Sequence, residues 1–253
     1  MAHYPDLKNQ HVFITGGGSG IGAAVVGAFV DQGARVSFVD LNEQASQELC
    51  AKWQKAATPP EFRFCDLRNV EHLQTLIAEL GKEFGPVSVL VNNAAHDERH
   101  RPEEVTLGYW EDRLAVNLRH QFFAAQAVAP QMKQLGGGSI INLGSMQAHI
   151  HTDACVGYTS SKHAVRGLTQ SLAKAWGKER IRVNTVVPGW VMTERQLTLW
   201  VTPEAEKEID ANQCLPDRLQ PEDIARMVLF LASEESRMCT GQDFIVDAGW
   251  VNH

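Results

Sequence analysis

Near the start of the chain, HVFITGGGSGIGAAVVGAF passes from a short apolar run through a glycine-rich turn into a segment with Ala23, Val26 and Val30 on one helical side. Gly16, Gly20 and Gly22 set a G-x-x-x-G-x-G spacing. Glycine permits a tight turn and lets a pyrophosphate approach the backbone, over the free N–H groups that open a helix. Glycine turns also serve loops without a ligand, so position carries the weight. Here the turn lies between strand and helix, and the next apolar run, RVSFVD, closes on an acid, Asp40. A carboxylate there can accept from adenosine ribose hydroxyls and would repel a 2′-phosphate. Neither the turn, where Ser19 stands, nor the position after Asp40 carries Arg or Lys, which favours NAD over NADP.

The rest of the chain keeps the same alternation. HVFIT, RVSFV, FRFC, VSVLVN, SIINL, RVNTVV and FIVD read as strands. Helices are expected over Gly20–Gln32, Asn42–Ala57, Val70–Phe84, Gly108–Leu135, Tyr158–Lys178 and Pro221–Ala232. Val- and Ile-rich strands without polar alternation are covered on both faces. The expectation is an α/β chain: a Rossmann-type doubly wound parallel sheet of about seven strands, helices on both faces, in one domain over 1–253. Ligands in such sheets bind beyond the carboxyl ends of the strands. An irregular insertion near 188–220, with Pro203 and Pro216 around a possible short helix, is expected to form a lid over the substrate.

A net charge of −7 argues against a nucleic-acid or membrane-surface partner, for which a basic patch would be expected. Five scattered cysteines without CxxC spacing indicate a reducing compartment. The polar start MAHYPDLKNQ and the lack of a long apolar run predict a soluble, cytoplasmic protein.

Chemistry concentrates later. Tyr158 and Lys162 in GYTSSKHAV share one helical face, about one turn apart. A free phenol ionises near pH ~10; a neighbouring ammonium favours the phenolate, and ~3 units correspond to ~4 kcal/mol. Such a tyrosine can take a proton from an alcohol or return one to a carbonyl. Alone, the pair also fits a solvated amphipathic face. Ser145, in INLGSM, could hold the reacting oxygen, or be a plain turn hydroxyl. Asn117 is a poor helix former within an expected helix, which suggests a function or a side chain bonding nearby backbone.

Together these motifs resemble the short-chain dehydrogenase/reductase family over nearly the whole chain. TGGGSGIG at Thr15–Gly22, CDL at Cys65–Leu67, NNAA at Asn92–Ala95 and PGWVMT at Pro188–Thr193 match family elements in order. Ala95 stands where the family carries glycine. The resemblance implies a tetrad of Asn117, Ser145, Tyr158 and Lys162, with Asn117 holding a water that passes protons from the lysine. It further implies NAD held by Gly16, Ser19, Gly20, Ile21, Gly22, Asp40, Asp66, Leu67, Asn93, Ala94, Tyr158, Lys162, Pro188, Val191 and Thr193. The family commonly assembles as homotetramers, and FIVDAGWV could contribute to a subunit contact.

Residues expected to border the substrate are His96 and Asp97, Gln147 and His149, and Trp190, Arg195 and Trp200, besides Ser145 and Tyr158. This hydrogen-bonding set with two indoles suits a polyol. His149 and His151 lack the supporting carboxylate or cysteine pattern of a metal site, so no metal is expected. HDERH, NLRH, PGWVMTERQ, MCTGQDF and DAGW are similar to bacterial NAD-dependent aldose 1-dehydrogenases of the D-xylose and L-fucose type. That nearer resemblance implies oxidation of the anomeric hydroxyl of a pentose or 6-deoxyhexose to an aldonolactone, with Tyr158 as base. A secondary alcohol or keto acid derivative is the alternative substrate, and an NAD-binding sensor without catalysis the alternative class.

Overall fold

A computed structural model describes residues 2–251. Seven strands form one parallel sheet in the order β3-β2-β1-β4-β5-β6-β7. They are β1 His11–Thr15, β2 Arg35–Asp40, β3 Glu61–Phe64, β4 Val87–Asn92, β5 Gly138–Leu143, β6 Ile181–Pro188 and β7 Asp243–Val246. The order reverses between β1 and β4, which opens a crevice at their carboxyl ends.

Although the strands are apolar throughout, their side chains still divide with period two. Val12, Ile14, Val36, Phe38, Val89, Val91 and Ile141 join one buried layer. That layer is completed by helices α1 Gly20–Asp31 and α9 Pro221–Ala232, with α2 Glu43–Trp53 at its edge. Phe13, Val39, Leu90, Ile140 and Val183 face the other layer, with α3 Val70–Phe84, α5 His120–Leu135 and α6 Val156–Trp176. Burial on both sides explains why no polar residues alternate along these strands.

Two stretches depart from expectation. The helix expected over Gly108–Leu135 is interrupted: α4 Leu107–Leu114 and α5 are joined by a π-helical turn, Ala115–Arg119, centred on Asn117. The insertion near 188–220 holds two short helices rather than one, α7 Glu194–Leu199 and α8 Pro203–Asn212. Thr193 and Thr202 cap them, each accepting the N–H three residues on. The stretch FIVDAGWV carries β7 and then turns beneath the insertion. Trp250 and Val251 are buried with Met146, Met192 and Ile209 in a third apolar cluster beneath the insertion.

A buried polar chain crosses the sheet just below the crevice. Asn92 Nδ2 donates to Asn142 Oδ1 at 2.9 Å, Asn142 Nδ2 donates to Thr169 Oγ1 at 2.9 Å, and Thr169 and Thr185 share a hydrogen bond at 2.9 Å. It ties β4, β5, α6 and β6 into one unit immediately before the residues that carry chemistry. Asn142→Ala leaves Thr169 and Asn92 short of partners inside a buried layer and should lower stability by about 2 kcal/mol or more. Urea unfolding checks this; a loss below about 0.5 kcal/mol would match an ordinary surface substitution and remove the network from the account.

Candidate active site

The crevice is a cavity of ≈ 970 Å³ running from the glycine turn to the insertion. At one end lie Gly16, Ser19, Gly20, Ile21, Gly22, Asp40, Asp66, Leu67, Asn93 and Ala94; Ser145, Tyr158 and Lys162 stand beyond, with Pro188, Val191 and Thr193 along the wall.

The glycine turn is built tightly. Gly16 and Gly20 have φ of +68° and +53°, left-handed values that favour glycine. A Cβ on Gly16 would lie 2.7 Å from Ala94 Cα, and one on Gly22 would run into the Gly16 carbonyl. Asn93 clasps the turn from β4: its Nδ2 donates to the carbonyls of Gly16 at 2.7 Å and Thr15 at 3.2 Å. Ser19 stands at the N-cap of α1 without a side-chain cap bond, so its hydroxyl leaves the opening amides free. Asp40 accepts from Gly18 N–H at 2.8 Å and Asn42 N–H at 2.9 Å, with carboxylate lone pairs to spare. A bare cradle, an uncapped helix start and an acid at the tip of β2 fit the pyrophosphate and ribose of a nicotinamide dinucleotide. Asp66 is gripped by Arg68 through both oxygens, which holds its carboxyl below the usual carboxylate range. Arg68 also reaches Asp112, tying this end of the crevice to α4.

Tyr158 and Lys162 lie on the first turns of α6, aimed at the end of β5. Lys162 is buried, and its Nζ donates to the Leu143 carbonyl at 2.6 Å. Its Nζ lies 5.5 Å from the Tyr158 ring centre. Burial pushes the lysine down to about 7, against a smaller opposing pull from Asp97. Burial also pushes the Tyr158 phenol up; the Ser145 hydroxyl counters this, while Asp97 and Cys155 add to it. The sequence predicts a phenol made acidic by its neighbour. In the structure desolvation is the largest influence on both groups, and it disfavours both charged forms.

Asn117 does not line the cavity. Its Oδ1 accepts from His96 N–H at 2.7 Å and its Nδ2 donates to the His96 carbonyl at 3.2 Å. Its own carbonyl, within the π-turn, accepts from Gln121 Nε2 at 3.1 Å. The side chain thus fastens the loop after β4, the backbone-bonding role that the sequence left open.

The substrate end is only partly as expected. His96, Asp97, Gln147, Trp190 and Arg195 line the cavity. His96 pairs through Nδ1 with Arg113; burial and Arg113 hold its pKa down. Asp97 accepts from Arg195 Nε at 3.1 Å and Gln196 Nε2 at 2.5 Å, latching the loop to α7. Gln147 accepts from the Cys155 thiol at 2.6 Å. His149 is a correction: it lies outside this cavity, in a small depression of ≈ 60 Å³ with His163 and Arg166. A 3-10 turn over Met146–Ala148 swings the chain away between Gln147 and His149, and His151 reaches the cavity instead. Trp200 stands behind the lining. Arg99, Ile150, Asp153 and Trp250 also line the cavity. Arg99 and Trp250 fall within HDERH and DAGW, so the motifs were visible but their direction was not.

Comparison with known proteins gives the family. Residues 16–251 match the family described as enoyl-(acyl carrier protein) reductase. D-xylose 1-dehydrogenase of Caulobacter vibrioides is 47% identical over 249 residues, covering 98% of each chain. The protein named "Probable galactose dehydrogenase GalD" of Rhizobium meliloti is 45% identical over 249 residues, 98% of this chain and 97% of that one. Among solved structures, a 7 alpha-hydroxysteroid dehydrogenase complexed with NADH and 7-oxo glycochenodeoxycholic acid is similar with a TM-score of 0.93 and 30% identity, covering 99% of this chain and 97% of that one. A blue fluorescent protein from a metagenomic library, in complex with NADPH, follows with 0.91 and 31%, covering 98% and 100%. The chain belongs to the short-chain dehydrogenase/reductase family and is an oxidoreductase of that family.

Proposed function

We propose that this protein oxidises the anomeric C1 hydroxyl of an aldose, a pentose or 6-deoxyhexose, to the aldonolactone with NAD as acceptor. One observation carries the reading: a single cavity joins the glycine cradle and Asp40 to Tyr158, Ser145 and Lys162, and ends in a wall rich in hydrogen-bonding groups and indoles. The xylose and galactose dehydrogenase relatives support a sugar as substrate. NAD rather than NADP is supported by Asp40, whose charge repels a 2′-phosphate, and by its exposed neighbour Leu41, which offers no cation.

A nicotinamide dinucleotide held by the glycine cradle and Asp40 would supply the hydride acceptor; the protein's work is orientation and proton transfer. Ser145 holds the reacting oxygen by its hydroxyl. Tyr158 takes the proton from that oxygen, or returns it when a carbonyl is reduced. Burial pushes Lys162 down to about 7, which brings both of its protonation states within reach near neutral pH. Its protonated form favours the phenolate, and its neutral form stores the proton that the phenol passes on. Asp97 opposes the phenolate, an effect blunted by its bonds to Arg195 and Gln196. A homotetramer in the cytoplasm belongs to the same reading, and sedimentation velocity tests the assembly.

Three outcomes follow. Tyr158→Phe should lower kcat for D-xylose about a thousandfold or more while NADH still binds, seen by fluorescence titration; retained activity means another base. Asp40→Asn keeps an acceptor but removes the charge, and should narrow the NAD-over-NADP ratio of kcat/KM about tenfold or more; an unchanged ratio contradicts the assignment. Lys162→Met should abolish turnover yet stabilise the fold at pH 7 by a few kcal/mol, since a buried lysine with a depressed pKa weakens folding. The unfolded lysine binds a proton below about 10.5, whereas the folded one binds it only below about 7. The gain is therefore full at and below pH 7 and fades as pH rises from 7 towards 10.5. Urea unfolding at two pH values reads this, and a gain independent of pH would contradict the cause.

A further inference from the structure

Arg99 lies in the loop after β4 and lines the cavity. Its Cζ sits 4.4 Å from the Trp200 ring centre and 5.5 Å from that of Trp190. Trp190 in turn packs against Trp250, with ring centres 6.1 Å apart. The guanidinium is thereby held over aromatic faces from the insertion, an arrangement that stabilises it and fixes its plane.

Its donors are unspent. The other arginine of this wall, Arg195, is paired with Asp97. For Arg99, among the described residues, neither a carboxylate nor a carbonyl accepts its N–H groups. The indole N–H groups of Trp190 and Trp200 are enclosed, so the accessible donors here are those of Arg99, an exposed residue. A guanidinium offers five donors and no acceptor. Those donors suit a ligand rich in acceptor oxygens. Asp97 and Asp153 line the same cavity, so its charge is mixed, which suits neutral hydroxyls better than an anion.

We propose that Arg99 is a specificity-determining residue: held against Trp190 and Trp200, it donates to substrate hydroxyl oxygens away from the reacting carbon. The proposal rests on the polyol substrate of the preceding section and adds which side chain reads it. It also links recognition to the insertion, because the same side chain that meets substrate stacks on residues at both ends of α7.

The test uses the full chain with NAD, comparing wild type, Arg99→Met and Arg99→Lys on D-xylose, D-galactose, threitol and cyclohexanol. Methionine keeps apolar contact with the indoles and removes the donors; lysine keeps the charge without the fork. Arg99→Met should raise KM for D-xylose about ten- to hundredfold, the range for losing hydrogen bonds from a charged donor, with kcat within about threefold. KM for NAD and for cyclohexanol should not change, and Arg99→Lys should recover only part of the loss. An unchanged sugar KM, or an equal rise for cyclohexanol or NAD, overturns the proposal; the latter would make Arg99 a strut of the insertion. For compounds that wild type binds without turning over, the same ratios are read as dissociation constants from tryptophan fluorescence with NADH present. Should wild type act on threitol but on no aldose, the aldose reading falls, and Arg99 is judged by threitol against cyclohexanol. If wild type neither turns over nor binds any of the three polyols, both readings fall.

Discussion

A lysine buried without a carboxylate beside it is the constraint around which this site is arranged. Lys162 is desolvated on α6 and directs its Nζ to the Leu143 carbonyl at the tip of β5. That single bond anchors the amine but supplies no counter-charge, and burial pushes the lysine down to about 7. Holding it there requires a rigid frame, which the buried Asn92–Asn142–Thr169–Thr185 chain provides one residue below. Stability is given up at the point where proton transfer needs a group that titrates near 7.

The cradle and the proton-transfer groups are joined through β4. Thr15 Oγ1 accepts from Asn93 N–H at 3.1 Å and Ala94 N–H at 3.2 Å, and Asn93 returns two bonds to the glycine turn. A few residues on, Asn117 fastens the same loop through His96, and Asp97 fastens it to α7. One loop thus sets the floor under the cofactor cradle and the wall beside Tyr158. The insertion rests on it twice, through the Asp97 latch and through Arg99 stacked on the indoles.

Much of this was legible in the sequence, because the relevant physics is local. Val- and Ile-rich runs separated by amphipathic stretches leave few alternatives to a parallel sheet, and Asp40 at the close of RVSFVD marks a strand tip. Tyr158, Lys162 and Ser145 meet at one cavity because helix spacing and strand ends determine their direction. What escaped depends on geometry that residue type does not encode. The π-turn at Ala115–Arg119 has no breaker residue to announce it. His149 and His151 differ by two positions, and only the 3-10 turn before them decides which reaches the cavity. Arg99 looks like any surface arginine until the insertion brings Trp190 and Trp200 to it. Attraction to Lys162 can be read from spacing, whereas the desolvation that opposes the Tyr158 phenolate depends on the packed surroundings.

The most direct measurement is the titration of Lys162 itself, followed by NMR on protein carrying ¹⁵N-labelled lysine side chains, with Lys162→Met assigning the signal. The account requires the Lys162 amine to change protonation near pH 7. If that signal holds its proton into the alkaline range of a free lysine, the amine at the tip of β5 is not desolvated, and the proton-transfer scheme built on it is wrong.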